Sequence, residues 1–200
     1  MKTNSKLTAG TFALSMLMPI ATSAQDTSTA ANDLALGQDV VAGGVVGEIY
    51  TREEFGDWDM RCVRTTDGKD PCQLYQLLKD DTGNSVAEIS MFELVGGGAA
   101  IAGATVIAPL ETLLTEQLTI AVDGGSTKRY PFSWCTAQGC FARIGFTEEG
   151  LNGFRRGASA TVSITPVAAP DKSVGLTMSL SGFTAGYEAV LAENKANASE

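Results

Sequence analysis

The chain has 200 residues, with 14 lysines and arginines against 23 aspartates and glutamates, a net charge of −9, and no histidine. The acidic balance disfavours nucleic acid or anionic lipid as a partner, because long-range electrostatics would repel both. The absence of histidine excludes Ser-His-Asp and Cys-His catalytic arrangements and every histidine-based zinc or copper site. We therefore expect no catalytic residues of these classes and no metal or other cofactor.

The amino terminus has the pattern of a signal peptide. Lys2 and Lys6 precede an apolar run at 7–20, and small residues follow at 21–24. The run is shorter than the ~20 residues of a membrane span. We predict that residues 1–24 are removed, that the mature chain has no transmembrane span, and that it is exported. Removal would leave 14 − 2 = 12 basic and 23 acidic residues, a net charge of −11. Residues 25–47 are predicted to be a flexible lead-in.

The first strong structural pattern lies at residues 55–77. Polar and apolar side chains alternate at 57–62, which is the period of a half-buried strand. Polar turn residues fill 65–71, and a second strand-like run begins at Cys72. The pattern predicts a hairpin with Cys62 and Cys72 near its inner ends. Cys135 and Cys140 flank a second tight turn.

Four cysteines in an exported chain are typical of two disulfides, for which three pairings are possible. We favour Cys62–Cys72 with Cys135–Cys140 because each pair closes a local turn, while crossed pairing between the hairpins stays open. The wide spacing of the first pair disfavours a zinc site, and neither pair has the Cys-x-x-Cys spacing of redox proteins. We expect structural disulfides, whose reduction lowers the melting temperature without releasing metal.

The rest of the chain has short strand patterns separated by turn signals, which is typical of an all-β domain. Strands are predicted at 85–94, 100–108, 118–122, 129–134, 140–146, 158–167 and 174–180, with a hairpin at the glycine run 96–98. Helices are predicted at 147–156 and 187–193, and a polar tail at 191–200. The predicted fold is all-β, a mainly antiparallel β-sandwich or barrel-like domain at 48–190 with one or two short helices, stapled by disulfides. Its predicted aromatic core is Trp58, Phe92, Trp134, Phe141, Phe146 and Phe183.

Carboxylates are the remaining candidates for chemistry. Adjacent acids on a strand point to opposite faces, whereas Asp57 and Asp59 share one face. Together with Asp123 they define an alternative function, a periplasmic small-ligand-binding protein or an enzyme using these carboxylates across a cleft. Calcium would also accept such oxygen ligands, but no Asp-x-Asp-x-Asp-Gly loop supports a calcium site.

An ordered set of short motifs covers residues 55–190. It comprises Phe55-Gly56-Asp57-Trp58, Arg61-Cys62, Pro71-Cys72-Gln73, Pro109-Leu110, Asp123-Gly124-Gly125, Gly139-Cys140-Phe141-Ala142 and Ser179-Leu180-Ser181-Gly182-Phe183-Thr184-Ala185. The set is similar to the invasion-associated locus B (IalB) family of bacterial envelope proteins. The Gly/Val-rich lead-in and the glycine run at 96–98 depart from the family's pattern.

The resemblance implies an exported, disulfide-bonded, mostly β protein of a Gram-negative bacterium, located in the periplasm or at the outer-membrane surface, and it brings no catalytic residues. The family name comes from pathogens that enter host red cells, a role that does not transfer with the fold. We therefore expect a non-catalytic scaffold that presents loops to a protein partner of the envelope or of a host surface. Tyr50, Tyr130 and Tyr187 are candidate contact residues, with partial burial in the core as the alternative for each.

Overall fold

The computed structural model describes residue 37 and residues 40–41, 43–96 and 98–199. The predicted signal peptide (1–24) and residues 25–36 of the predicted lead-in lie outside the described residues. Within them, the strands are β1 (Val40–Val41), β2 (Gly44–Val45), β3 (Ile49–Phe55), β4 (Trp58–Val63), β5 (Cys72–Lys79), β6 (Ser85–Glu93), β7 (Ala102–Ala108), β8 (Leu118–Val122), β9 (Lys128–Tyr130), β10 (Phe132–Thr136), β11 (Gly139–Phe146), β12 (Ser159–Ile164) and β13 (Val174–Ser179). The helices are α1 (Glu148–Arg156) and α2 (Phe183–Ser199), with a 3-10 turn at Leu114–Glu116.

Eleven strands of the described residues form one antiparallel sheet that curls into a nearly closed barrel, so the all-β prediction is confirmed. The strands follow the order β10-β11-β7-β6-β5-β13-β12-β8-β9. In addition, β4 pairs with β5, and β3 pairs with β4. Because β9 ends at Tyr130 and β10 begins at Phe132, only Pro131 separates the two ends of this order. The short ribbon of β1 and β2 is separate from the sheet.

The predicted alternation of side chains explains which face of each strand is buried. In β6, Ala87, Ile89 and Met91 are buried, whereas the residues between them are half-buried. The same period places Ala142, Ile144 and Phe146 of β11 in the interior. The barrel therefore has an apolar inner face and a more polar outer face. The strands on either side of the glycine run pair with each other, as predicted.

The aromatic part of the core is smaller than the sequence suggested. Trp58, Phe146 and Phe183 are buried as predicted, but the prediction for Trp134 is wrong, since this side chain is 45% exposed. The inward positions of β11 are even-numbered, so Phe141 faces outward. Trp134 pairs with Phe141 across the ladder and shares its outer face. Phe92 lies on the outer face and is half-buried.

Helix α1 agrees with the sequence prediction. Thr147 is its N-cap, and the Thr147 hydroxyl accepts a hydrogen bond of 3.3 Å from the Gly150 N–H. Acidic residues occupy the first turn and basic residues the last turn, which complements the charge at each end of a helix. Leu151 and Phe154 are its buried residues.

The polar tail predicted at 191–200 is instead helical through Ser199, as the last part of α2. The side-chain amide of Asn194 accepts a hydrogen bond from the Cys72 N–H at 2.8 Å and donates one to the Cys72 carbonyl at 2.9 Å. Asn197 donates to the Asp70 carbonyl at 2.9 Å. These two amides supply hydrogen-bond partners to the backbone of the first hairpin. The polar end of α2 is thus held by tertiary contacts, which helical periodicity in the sequence does not reveal.

Both disulfides bridge neighbouring antiparallel strands. Cys62 pairs with Cys72 across β4 and β5, and Cys135 pairs with Cys140 across β10 and β11. This is the pairing favoured from the local turns. The structure describes no free cysteine.

Candidate functional site

Two strands, β4 and β13, diverge from one edge of β5, and we call this place the fork. The first half of β5 pairs with β4, and its last residue, Lys79, pairs with Thr177 of β13. Between these two partners the side chain of Gln76 bridges the gap. It donates to the carbonyls of Asp57 (3.0 Å) and Ser179 (3.1 Å), and it accepts from the Ser179 N–H (2.9 Å). A buried amide thus supplies the backbone partners that the diverging strands lack.

Two of the sequence motifs cross each other at this fork. A Cβ on Gly56 would lie 2.7 Å from the Ser181 carbonyl oxygen, and one on Gly182 would lie 2.0 Å from the Phe55 carbonyl oxygen. Both glycines also have positive φ, at 60° and 83°. The indole of Trp58 donates to the Ser179 carbonyl at 2.8 Å. The Phe-Gly-Asp-Trp and Ser-Gly-Phe motifs are therefore explained by close packing of the backbone.

A cleft of about 460 Å³ opens on the sheet at the fork and holds two of the predicted acids. We call it the fork cleft; it is lined by Asp57, Asp59, Arg61, Tyr75, Gln76, Leu77, Lys79, Thr177 and Ser179. Asp57 accepts a hydrogen bond of 2.6 Å from the Ser179 hydroxyl, and Asp59 forms an ion pair of 3.0 Å with Arg61. The Arg61 guanidinium lies 3.4 Å above the centre of the Tyr75 ring. Both acids therefore already have partners.

Asp123 does not join this group, so the structure does not bring the three predicted acids into one site. It lines a different cavity, beside α1. Its carboxylate accepts hydrogen bonds from the N–H groups of Ala158 and Ser159, at 3.0 Å each for the shorter contacts. Asp123 also has a positive φ of 46°, which aspartate tolerates in a turn. Its position is that of a turn residue that fixes the start of β12.

A row of five side chains, four of them apolar, crosses five strands on the outer face and is exposed at both ends. The register aligns Trp134, Phe141, Ile107, Glu88 and Leu77 from β10 to β5, and we call this set the outer row. The rings of Trp134 and Phe141 stack with their centres 5.3 Å apart and 10° between their planes. Leu77 is 43% exposed. At about 4.8 Å between neighbouring strands, the row is roughly 19 Å long.

Comparison with known proteins identifies the family to which this fold belongs. A sequence model described as "Invasion associated locus B (IalB) protein" matches residues 58–191, which is more than half of the chain. The chain belongs to the IalB family. The match begins at Trp58 and includes both disulfides, Gln76 and the segment from Ser179 to Phe183, but not Phe55, Gly56 or Asp57. It leaves out the last turns of α2, which carry Asn194 and Asn197.

Individual members of the IalB family are distant from this chain. It is 23% identical over 149 residues to invasion protein B homologues of two strains of Brucella abortus, which covers 74% of this chain and 84% of theirs. A crystal structure of invasion associated protein B from Bartonella henselae superposes with a TM-score of 0.60 at 22% identity. That comparison covers 72% of this chain and 96% of the Bartonella chain, and it shows the shared fold.

The three tyrosines singled out in this IalB-family sequence are all at least half-buried. Tyr187 is 1% exposed and stacks on Phe183. Tyr130 and Tyr50 are half-buried against the core. The Tyr50 hydroxyl donates to Asp70 at 2.9 Å. Burial raises the pKa of Tyr130 and of Tyr187, so both hydroxyls stay neutral at physiological pH. Tyr50 and Tyr130 are therefore partly buried in the core, and Tyr187 is fully buried.

Asp70 is a buried acid that the sequence patterns did not single out. Burial alone would raise its pKa, but hydrogen bonds from the Thr65 N–H, the Tyr50 hydroxyl and the Thr65 hydroxyl, with the charge of Arg64, lower the pKa below its ordinary value. The hydrogen bond from the Thr65 N–H to the Asp70 carboxylate is 2.7 Å long. Asp70 thereby closes the turn next to the first disulfide. A polar residue inside a predicted turn gives no sequence signal of such burial.

Within the described residues, no group of three or more cysteine, aspartate or glutamate side chains is arranged to hold a metal ion. In the same part of the chain, no helix has the length and apolar character needed to cross a membrane.

Proposed function

We propose that this IalB-family chain is an exported, non-catalytic scaffold of the cell envelope that binds a partner protein through the outer row. The observation that supports this is the stacked pair of Trp134 and Phe141, which lies outside the core. Large aromatic rings with a fixed orientation are enriched at protein interfaces, because they bury much area at little cost in conformational entropy. The disulfide Cys135–Cys140 closes the hairpin that carries both rings.

The geometry of the outer row favours a flat partner surface with one hydrogen-bond donor or cation. Trp134, Phe141 and Ile107 form a continuous apolar segment across three strands. Glu88 follows, and its carboxylate accepts a hydrogen bond of 2.9 Å from the Tyr75 hydroxyl. The partner that fits is a protein of the envelope or of a host surface, with an apolar patch beside a basic residue.

The contact is tested by recovery of a cross-linked partner from the cell envelope. An affinity-tagged chain is treated with a cross-linker in intact cells and purified, together with the variants Trp134→Ala, Trp134→Phe and Val167→Ala. Val167 is also exposed but lies outside the outer row, so it is the matched control. We expect Trp134→Ala to lose the partner through an affinity loss of about 30-fold, which is typical of an aromatic anchor, and the other two variants to retain it. Equal recovery with all variants, or no partner with any, would refute the proposal.

Location is tested separately, by protease treatment of intact cells and by osmotic-shock fractionation with an antibody to the chain. Cleavage on intact cells would place the outer row where other cells and surfaces can reach it. Protection until the outer membrane is opened would place the chain in the periplasm, and its partner among periplasmic or envelope proteins. Retention in the cytoplasm would contradict export.

A second candidate function rests on the fork cleft, which has the volume of a small-molecule site and holds Asp57, Asp59, Arg61 and Lys79. A polar ligand there would compete with the ion pair of Asp59 and Arg61. The variant Asp57→Asn, Asp59→Asn should abolish binding or turnover of such a ligand without affecting recovery of the partner protein. A ligand that binds this variant as it binds the native chain would exclude the fork cleft.

A further inference from the structure

A second cavity lies where α1 faces β8 and β9, and we call it the α1 cavity. Its volume is about 400 Å³, within the range of roughly 300–1,000 Å³ found for small-molecule sites. Ile120, Phe146 and Phe154 line it and are themselves buried, so its floor is apolar. Phe146 packs edge-to-face on Tyr130 and on Phe154, with centres 6.2 and 5.0 Å apart. This aromatic wall is continuous with the core.

Helix α1 and its C-cap residue contribute glycines to the wall of this cavity. Gly150, Gly153 and Gly157 all line the cavity. Packing requires only the last of them: a Cβ on Gly157 would lie 2.7 Å from Val122 and 2.8 Å from Leu180. A Cβ on Gly153 would meet no atom within 4 Å. Glycine inside a helix costs about 1 kcal/mol relative to alanine, so the stability of α1 does not explain Gly153. Its effect is to leave the cavity open.

The mouth of the cavity carries two cations that have no ion-pair partner within the described residues. They are Lys128 and Arg156. Of the two acids beside them, Asp123 already accepts hydrogen bonds from two backbone N–H groups. Glu149 is the remaining acid of the mouth. Two cations and two acids make the mouth formally neutral, in a chain whose net charge is −9, and neither cation is engaged in an ion pair among the described residues.

We propose that the α1 cavity binds a small amphipathic anion. Its apolar body lies on Phe146 and Phe154 in the space left by Gly153, and its anionic group is held by Lys128 and Arg156. An apolar floor with a few charged groups at one side is the usual form of such a site, because burial of the body supplies affinity and the charges fix the orientation. The α1 cavity shares no residue with the outer row or the fork cleft.

The first experiment measures binding of the fluorescent probe 1-anilinonaphthalene-8-sulfonate, an aromatic anion, to the purified chain. Gly153→Leu fills the cavity from a position with free space, and it removes a helix glycine, so its melting temperature should stay the same or rise. The matched control is Gly175→Leu, on an exposed position of β13 outside the α1 cavity. We expect saturable binding to the native chain and to Gly175→Leu, and at least about tenfold weaker binding to Gly153→Leu.

The second experiment tests the charge of the ligand by displacement of the probe. Decanoate should displace it, whereas decylamine, with the same chain and the opposite charge, should not. The double variant Lys128→Gln, Arg156→Gln should bind decanoate about tenfold more weakly than the native chain does, and it should bind decanol with unchanged affinity. Sedimentation with phosphatidylglycerol vesicles separates two sources of the anion. Co-sedimentation that Gly153→Leu abolishes indicates a lipid, and its absence indicates a free amphiphile.

Three results would overturn the proposal: no saturable binding of the probe to the native chain, equal binding to Gly153→Leu, or equal displacement by decylamine and decanoate. If Gly153→Leu failed to fold, the charge variant would still decide the question, because Lys128 and Arg156 are exposed. The outcome is independent of the partner proposed for the outer row, since Trp134→Ala should bind the probe as the native chain does.

Discussion

The side chain of Gln76 should contribute more to stability than any other polar side chain at the fork. Replacement by leucine keeps the volume but removes three hydrogen bonds, two donated and one accepted. The Ser179 carbonyl keeps the bond from the indole of Trp58. The Asp57 carbonyl and the Ser179 N–H lose this partner at part-buried positions. Gln76→Leu should therefore leave two backbone groups poorly satisfied.

The size of the effect follows from those two groups. A buried polar group that loses its partner costs about 1–3 kcal/mol, and water in the fork cleft reduces the cost for groups that it reaches. We expect a loss of about 2–4 kcal/mol in the free energy of unfolding. For a chain of this size, each kcal/mol lowers the melting temperature by about 2–4 °C, so the expected shift is about 4–16 °C.

The measurement is urea denaturation followed by circular dichroism, for the native chain, Gln76→Leu and the control Gln73→Leu. Gln73 lies on the same strand but is exposed, so its replacement should change stability by no more than about 0.5 kcal/mol. A loss below about 1 kcal/mol for Gln76→Leu would mean that the amide does not hold the fork together. An equal loss for both variants would mean that the strand, and not the bridge, is sensitive.

Three further predictions concern the same frame. Gly182→Ala should destabilise the chain strongly or prevent folding, because its Cβ would lie 2.0 Å from a backbone oxygen. Gly68 has a φ similar to that of Gly182 but free space around its Cβ position. Gly68→Ala should therefore lower the free energy of unfolding by only about 1 kcal/mol, as measured by thermal melts. The lowered pKa of Asp70 gives stability that is present above about pH 4 and lost as the pH falls through the folded-state pKa. Asp70→Asn should therefore flatten the acid limb of a plot of melting temperature against pH, and an unchanged limb would contradict this. Reduction of each disulfide should cost about 2–3 kcal/mol without metal release, as checked by melts with reductant and by elemental analysis.

The parts of the fold that sequence predicted well are local. Alternation over five or more residues identified β6, β8 and β11, and Thr147 followed by two acids identified the start of α1. The two disulfides join cysteines 10 and 5 positions apart, a pairing that local spacing also suggests. In each case the deciding interaction joins residues that are close along the chain.

The parts that sequence missed depend on distant partners. Gln76 occupies an ordinary position of an alternating strand, and its role depends on Ser179, 103 residues away. The size and aromatic character of Trp134 predict burial in the core. Its exposure follows from the register with Phe141 and not from its type. The helical end of α2 depends on Asn194, whose partner Cys72 is 122 residues away.

The crossing of the two motif segments also has a consequence for the order in which the protein folds. The first hairpin obtains its partners at Ser179 and Asn194 from the last quarter of the chain. A chain delivered from its amino terminus must hold β4 and β5 without these partners until nearly all of it has emerged. Such long sequence separations slow folding, because loop closure comes before the contacts that stabilise it. Truncation near residue 180 should thus leave an unfolded, protease-sensitive chain and not a smaller barrel.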